Sequence, residues 1–203
     1  MNQMLARSLH ADFLTAISEH RAHGVVSPAT SARLAATQQA FTSDVDVVNY
    51  ALTLEHLESA FYKLASQYSF GADPFGNSID EWLGVIGGHE DAHVEALTGV
   101  VTQLGGEPVA AGEYDFKVTD AASFLATAAA VENLGVQAYD GAGSSIQSKD
   151  ILLAAGGIVA VEARHAAYLN VITGVSPFPA AVETPKTPQE VLEVAGPFIV
   201  SGT

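Results

Sequence analysis

Two stretches of this chain carry Glu-x-x-His where a buried helix face should be apolar: Glu90 and His93 in IGGHEDAHVEALTGV, and Glu162 and His165 in AVEARHAAYL. The first pair lies on the line Ile79, Leu83, Ile86, Glu90, His93, Leu97, Val100, Leu104, spaced alternately by four and three residues. That is the repeat of a seam facing the centre of a helix bundle. The second lies on Ile151, Ala155, Ile158, Glu162, His165, Leu169, Ile172. A carboxylate and an imidazole turned into a core are costly unless something pairs them. Whatever this chain folds into has to supply that partner.

Two more helical seams carry one polar break each. The segment from Ser43–Asp44 to about Gln67 lines up Val48, Leu52, Glu55, Ser59 and Tyr62, and the segment from Asp120 to about Ile146 lines up Leu125, Ala129, Glu132, Val136 and Tyr139. Each has a lone Glu with a Tyr seven residues later, so the four helices form an internal repeat. The loop FGADPFGNS separates the first two, and Ser78-Ile79-Asp80-Glu81 reads as a capping box that starts the second. Gly105-Gly106 ends it. The following link holds Pro108 and runs to Thr119. A link of about 14 residues reaches roughly 45 Å, against about 38 Å for a 25-residue helix, so it can cross over the bundle. The last long helix runs from about Lys149 to Thr173, with Gly174 beyond it.

The ends read differently. Residues 1–42 suit two short helices, the first closed by Gly24 and the second opened by Ser27-Pro28. His10, His20 and His23 lie there and read as surface or packing residues. After residue 174 comes a tail with Pro177, Pro179 and Pro185, in which Thr187-Pro188-Gln189-Glu190 opens one short helix. The predicted chain is therefore all-α: an N-terminal helical extension over 1–42, a four-helix bundle with a crossover between its second and third helices over 43–174, and a proline-rich C-terminal tail over 175–203 that packs on the bundle.

Composition narrows the chemistry. The 8 Lys+Arg against 23 Asp+Glu give a net charge of −15, which disfavours nucleic acid and anionic membranes as partners. There is no cysteine, so disulfides, Fe–S clusters, thiolate zinc sites and thiol catalysis are all excluded. The first twenty residues are too polar for a signal-peptide core and no uninterrupted apolar run is long enough to span a bilayer, so the expected location is the cytoplasm.

Residues three apart project side by side from a helix, so each Glu-x-x-His presents an oxygen and a nitrogen to one point. Glu55 and Glu132 come from the other two helices. Four carboxylates and two imidazoles would then meet at mid-bundle, where two divalent cations neutralise the four negative charges. Oxygen-rich ligation with one imidazole per metal favours Fe or Mn over structural zinc. The set Glu55, Glu90, His93, Glu132, Glu162 and His165 is the ligand pattern of di-iron and di-manganese carboxylate bundles.

On these residues the stretch 43–174 resembles the ferritin-like superfamily, and NYALTLEHLESAFY, VENLGVQAYDGA and AVEARHAAYL look like the branch that includes the desiccation-related proteins. The resemblance implies a four-helix bundle with a crossover, two Fe or two Mn ions, and the six residues above as their ligands and as the reactive centre. The expected function is oxidation of Fe(II) or decomposition of peroxide in a protective role, with O2 or H2O2 as co-substrate. The alternative is a non-enzymatic stress or structural protein whose metals only stabilise the bundle. With methionine only at Met1 and Met4, off the seams, no haem is expected. The added N- and C-terminal segments would cover faces that cage-forming relatives use, which points to a monomer or small homo-oligomer.

The neighbours of the six residues have readings of their own. Glu58, three residues after Glu55, reads as solvated or paired with a base, with a shifting or entry-site carboxylate as the alternative. His56 and His89 should face a neighbouring helix or water. Tyr62 and Tyr139 are open between hydrogen bonding to the ligands and simple packing. Arg164 reads as one half of a surface ion pair.

Overall fold

A computed structural model describes residues 41–201; the N-terminal helices expected over 1–42, with His10, His20 and His23, lie outside them apart from Phe41 and Thr42. Four long helices dominate. Helix α1 spans Asp44–Tyr62 and continues as a 3-10 turn to Gln67. Helix α2 spans Ile79–Gln103, α3 Ala121–Gly143 and α4 Lys149–Thr173. The sequence places these starts well because each is capped by a side chain. Ser43, Ser78, Asp120 and Ser148 accept from backbone N–H groups in the first turn, and Ser43 and Asp120 form full capping boxes. At Ser78 only the forward half of the expected box is present, from Glu81 N–H to the serine hydroxyl. Helix α3 ends at Gly143, three residues before the expected Ile146.

Helix α1 packs along α2, and α3 along α4, as two hairpins that meet through α1 and α3. The link between α2 and α3 crosses over, held by Asn49: its amide donates to the Glu107 carbonyl at 3.0 Å and accepts from Val109 N–H at 2.9 Å. His56 contacts the Val109 carbonyl oxygen at 3.1 Å. At the same end of the bundle the carboxylate of Asp44 accepts from Gln147 N–H and Ser148 N–H, tying the start of α4 to the start of α1.

One feature was not legible in advance. Within the link, β1 (Glu113–Tyr114) pairs antiparallel with β2 (Ile199–Ser201), so the tail is stitched to the crossover by backbone hydrogen bonds. The expected short helix of the tail is α5 (Pro188–Ala195), capped by Thr187, and it docks on α3 through buried Val191 and Ala195. The tail approaches α3 so closely that a Cβ at Gly141 would sit 2.0 Å from the Lys186 carbonyl oxygen.

The seams are mostly as expected, with one drift. On α2 the buried line runs Ile79, Leu83, Ile86, Glu90, Leu97 and then Val101; Val100 is half-buried and Leu104 exposed. A straight helix has 3.6 residues per turn, so a strict 3.5-residue line rotates out of the interface within a few turns. Helix α4 corrects a second expectation: by length and composition it is apolar enough to cross a membrane, although no uninterrupted apolar run marks it. Glu162 and His165 on its buried face make it a bundle helix here.

Two apolar clusters fill the bundle. One gathers Leu57, Phe61, Leu83, Phe124 and Leu169, with Phe61 and Phe124 stacked at 4.4 Å; the other gathers Val48, Leu52, Leu97 and Val101. The polar seam residues form the layer between them.

Candidate metal centre

Each long helix delivers its polar seam residues to that middle layer. Glu55, Glu90, Glu132 and Glu162 are fully buried, His165 is buried, and His93 is nearly so. They form two clusters. In the first, His93 Nδ1 lies 3.3 Å from Glu55 Oε2, 3.0 Å from Glu90 Oε2 and 2.8 Å from Glu162 Oε1. In the second, His165 Nδ1 lies 3.0 Å from Glu90 Oε1, 3.3 Å from Glu132 Oε2 and 3.5 Å from Glu162 Oε2. Within each cluster all four donor atoms fall within 4.8 Å of one another. Glu90 and Glu162 belong to both, turning one oxygen to each. Glu55 and Glu132 each serve one. The site is thus two equivalent halves sharing two carboxylates, the internal repeat of the sequence expressed in space.

These atoms are close without being satisfied. Glu55 Oε2, Glu90 Oε1, Glu132 Oε2, both Glu162 oxygens and His165 Nδ1 are buried yet lack a hydrogen bond of acceptable direction among the described residues. Buried polar atoms rarely stay so, and each one left unsatisfied is costly. Apart from His93 Nδ1, which bonds Glu90 Oε2 at 3.0 Å, these donor atoms converge on common points without bonding each other, which suits a cation at each point. Four carboxylates, two imidazoles and no sulfur fit two hard or borderline divalent ions of the Fe or Mn type.

The electrostatics express the same tension. Burial opposes the charge on His93, but the carboxylates of Glu162, Glu55 and Glu90 outweigh it and raise its pKa to about 12. For His165 the balance of burial against Glu132, Glu162 and Glu90 gives about 11. Burial pushes Glu55 up to about 8, only partly relieved by His93. Glu132 is also raised, by burial first. Glu162 goes the other way, to about 2, because the two imidazoles overcome its burial. The cluster therefore holds protons that a metal ion would displace.

Tyrosines complete the layer crosswise. Tyr62 on α1 donates to Glu132 Oε1 on α3, and Tyr139 on α3 donates to Glu55 Oε1 on α1, both at 2.5 Å. Burial, then the adjacent carboxylate, holds both phenols protonated. The seven-residue spacing of each Glu and Tyr marked these residues, but not that each tyrosine serves the glutamate of the other hairpin. That pairing needs the helices side by side. Gly87 permits close packing here, since a Cβ on it would come 2.9 Å from Tyr62 Cβ.

Three neighbours are now placed. His89, exposed on α2, meets α4: its Nδ1 is 2.9 Å from His165 Nε2, with the rings stacked. It orients the ring whose Nδ1 faces the carboxylates. Sequence reasoning put His89 toward a neighbouring helix or water but gave it no such role. Glu58 is not solvated and pairs with no base among the described residues. It is buried against Gly135, whose missing Cβ leaves room for the carboxylate, and burial followed by the nearby glutamates raises its pKa well above the ordinary value. Arg164 is exposed but forms no ion pair among the described residues, contrary to expectation. It lines a cavity of about 370 Å³ that reaches His89 and His165 from solvent.

Residues 43–175 match the sequence family described as a ferritin-like domain. Among solved structures the chain is similar to a conserved hypothetical protein, rv2844, from Mycobacterium tuberculosis. The TM-score is 0.56 at 20% sequence identity, covering 73% of this chain and 99% of that one. This likeness is one of fold. None of the curated proteins matches the sequence.

Proposed function

The chain belongs to the ferritin-like domain family, and from that premise we propose that it is a dinuclear non-haem Fe or Mn carboxylate protein that oxidises Fe(II) or decomposes peroxide in a protective role. The observation that carries the reading is the convergence of six side chains into two clusters sharing Glu90 and Glu162, with their donor atoms buried and unsatisfied. Glu55, Glu90, His93 and Glu162 would hold one ion, and Glu90, Glu132, Glu162 and His165 the other. A pair of such ions supplies redox change shared between two centres and open positions for O2 or H2O2.

The protein's own residues set the conditions. Two apolar clusters keep bulk water from the layer and strengthen every charge interaction inside it. Tyr62 and Tyr139 hold Glu132 and Glu55 by one oxygen each, leaving the other oxygen facing its cluster. His89 fixes the orientation of His165. Small co-substrates reach this side of the layer through the cavity that His89 and His165 line. The likeness of three sequence stretches to the desiccation-related branch supports a protective role.

The test is turnover. Protein loaded anaerobically with Fe(II) and then given O2 or H2O2 should form Fe(III) much faster than free Fe(II) does, and Mn-loaded protein should be assayed for O2 release from H2O2. Glu90→Ala, which removes a residue shared by both clusters, should abolish the activity. Metal-loaded wild-type protein that melts higher but turns over neither substrate would instead make the metals structural.

A further inference from the structure

Beside the metal centre lies a cavity that touches the six-residue site only at His165 and whose outer walls that site does not use. It opens between the loop before α2, the first turns of α2 and the middle of α4, and holds about 370 Å³. That volume is in the range of small-molecule sites. Its walls are largely aromatic and aliphatic: Phe75, Trp82, Val85 and Tyr168, with Phe75 73% and Trp82 43% exposed. Large side chains left open to water around a concavity mark a place where something apolar sits. Its floor is His89 and His165.

The polar groups of the lining are unequal. Asp73 is buried, and its oxygens accept from Phe75 N–H, Asn77 N–H, the Asn77 amide and the Tyr168 hydroxyl. Those bonds shape the loop and occupy the carboxylate. Arg164 is the opposite case. It is the one arginine among the described residues of a chain with net charge −15. Like Lys149 and Lys186 it makes no ion pair there, whereas Lys63 and Lys117 pair with Asp91 and Asp115. Of those three cations it alone lines the cavity. A guanidinium is a forked donor suited to a carboxylate.

We propose that this cavity binds a small aromatic carboxylate, with its ring among Phe75, Trp82 and Val85 and its head group on Arg164, against His89 and His165. The ring gains from aromatic contact and from burial of apolar surface. The carboxylate supplies the anion that Arg164 lacks among the described residues. A ligand so placed lies beside the imidazole of one metal cluster, but its binding needs neither turnover nor a particular metal, so the proposal stands or falls apart from the proposed activity.

Trp82 makes the test direct, because it is the only tryptophan in the chain and it lines the cavity. Protein as purified is titrated with 3-phenylpropanoate and, separately, with 3-phenylpropan-1-ol, which has the same skeleton without charge, while Trp82 fluorescence is followed. A saturable change is expected for both, with the acid binding about 10- to 100-fold more tightly, the worth of a charge-assisted hydrogen bond. Arg164→Gln, at an exposed position that should not disturb folding, should remove that preference and leave the alcohol unaffected. Val85→Phe, which fills the cavity, should weaken both ligands. No saturable change with either compound up to about 10 mM overturns the site. Equal affinities in the wild type, or an acid affinity untouched by Arg164→Gln, overturn the head-group assignment, as they would if the acid bound elsewhere or on the metals.

Discussion

Replacing Glu55 with Gln tests the idea that this bundle accepts instability in order to hold a metal site. The change keeps shape and keeps an acceptor for the Tyr139 hydroxyl, but removes a buried ionisable group. In metal-free protein Glu55 has its pKa raised from 4.5 to about 8, chiefly by burial. A carboxyl group whose folded pKa is raised binds its proton more tightly when folded. Stability is then unaffected below pH 4.5, falls as pH rises from 4.5 to about 8, and levels off above that. At pH 7 the penalty is about 3 kcal/mol. Glutamine avoids it, and because the raised pKa leaves Glu55 protonated in the fold at pH 7, the change removes no carboxylate charge from beside His93. Metal-free Glu55→Gln should therefore be more stable than wild type at pH 7 by about 3 kcal/mol, or roughly 6–12 °C in melting temperature for a chain of this size. At pH 4.5 the advantage should vanish. The assay is thermal melting after chelation and dialysis, across pH 4.5 to 8, with and without added Fe(II) or Mn(II). The added metal should raise the melting temperature of the variant less than that of wild type. A variant less stable than wild type at every pH, by a constant margin, would refute the account of Glu55 as a strained carboxyl.

Tyr139→Phe takes away the donor to Glu55 Oε1 and frees that carboxylate to rotate, so metal affinity measured by chelator competition should fall about 10- to 100-fold with little change in fold. Gly141→Ala puts a methyl group into the Lys186 carbonyl, which must move away. The tail should lift from α3, seen as faster proteolysis between residues 175 and 187 and a loss of about 1–3 kcal/mol in stability.

Most of the bundle was written in local signals. Ser43, Ser78, Asp120 and Gly174 mark helix ends through hydrogen bonds and backbone angles that involve only a few neighbouring residues. Glu90, His93, Glu162 and His165 announce themselves because polar residues on an apolar seam are anomalous whatever the seam packs against, and the repeat in the other two helices supplied Glu55 and Glu132. Relations between helices are different. That Glu90 and Glu162 serve both clusters, that Tyr62 reaches Glu132 and Tyr139 reaches Glu55, and that His89 leans on His165 all depend on how four cylinders are rotated and staggered against each other. Helical periodicity gives the face a residue occupies, not the height at which a partner meets it. The same reason hid the pairing of Glu113–Tyr114 with Ile199–Ser201, two short segments far apart in sequence with no strand signal of their own. It also hid the fate of Glu58 and Arg164, whose spacing suited a solvated face. Packing against Gly135 buried the first, and the loop carrying Asp73 and Phe75 made the second one wall of a cavity. The sequence by itself determined which six side chains would meet at mid-bundle; only the tertiary structure decided which of them are shared, what holds them, and what stands at the door.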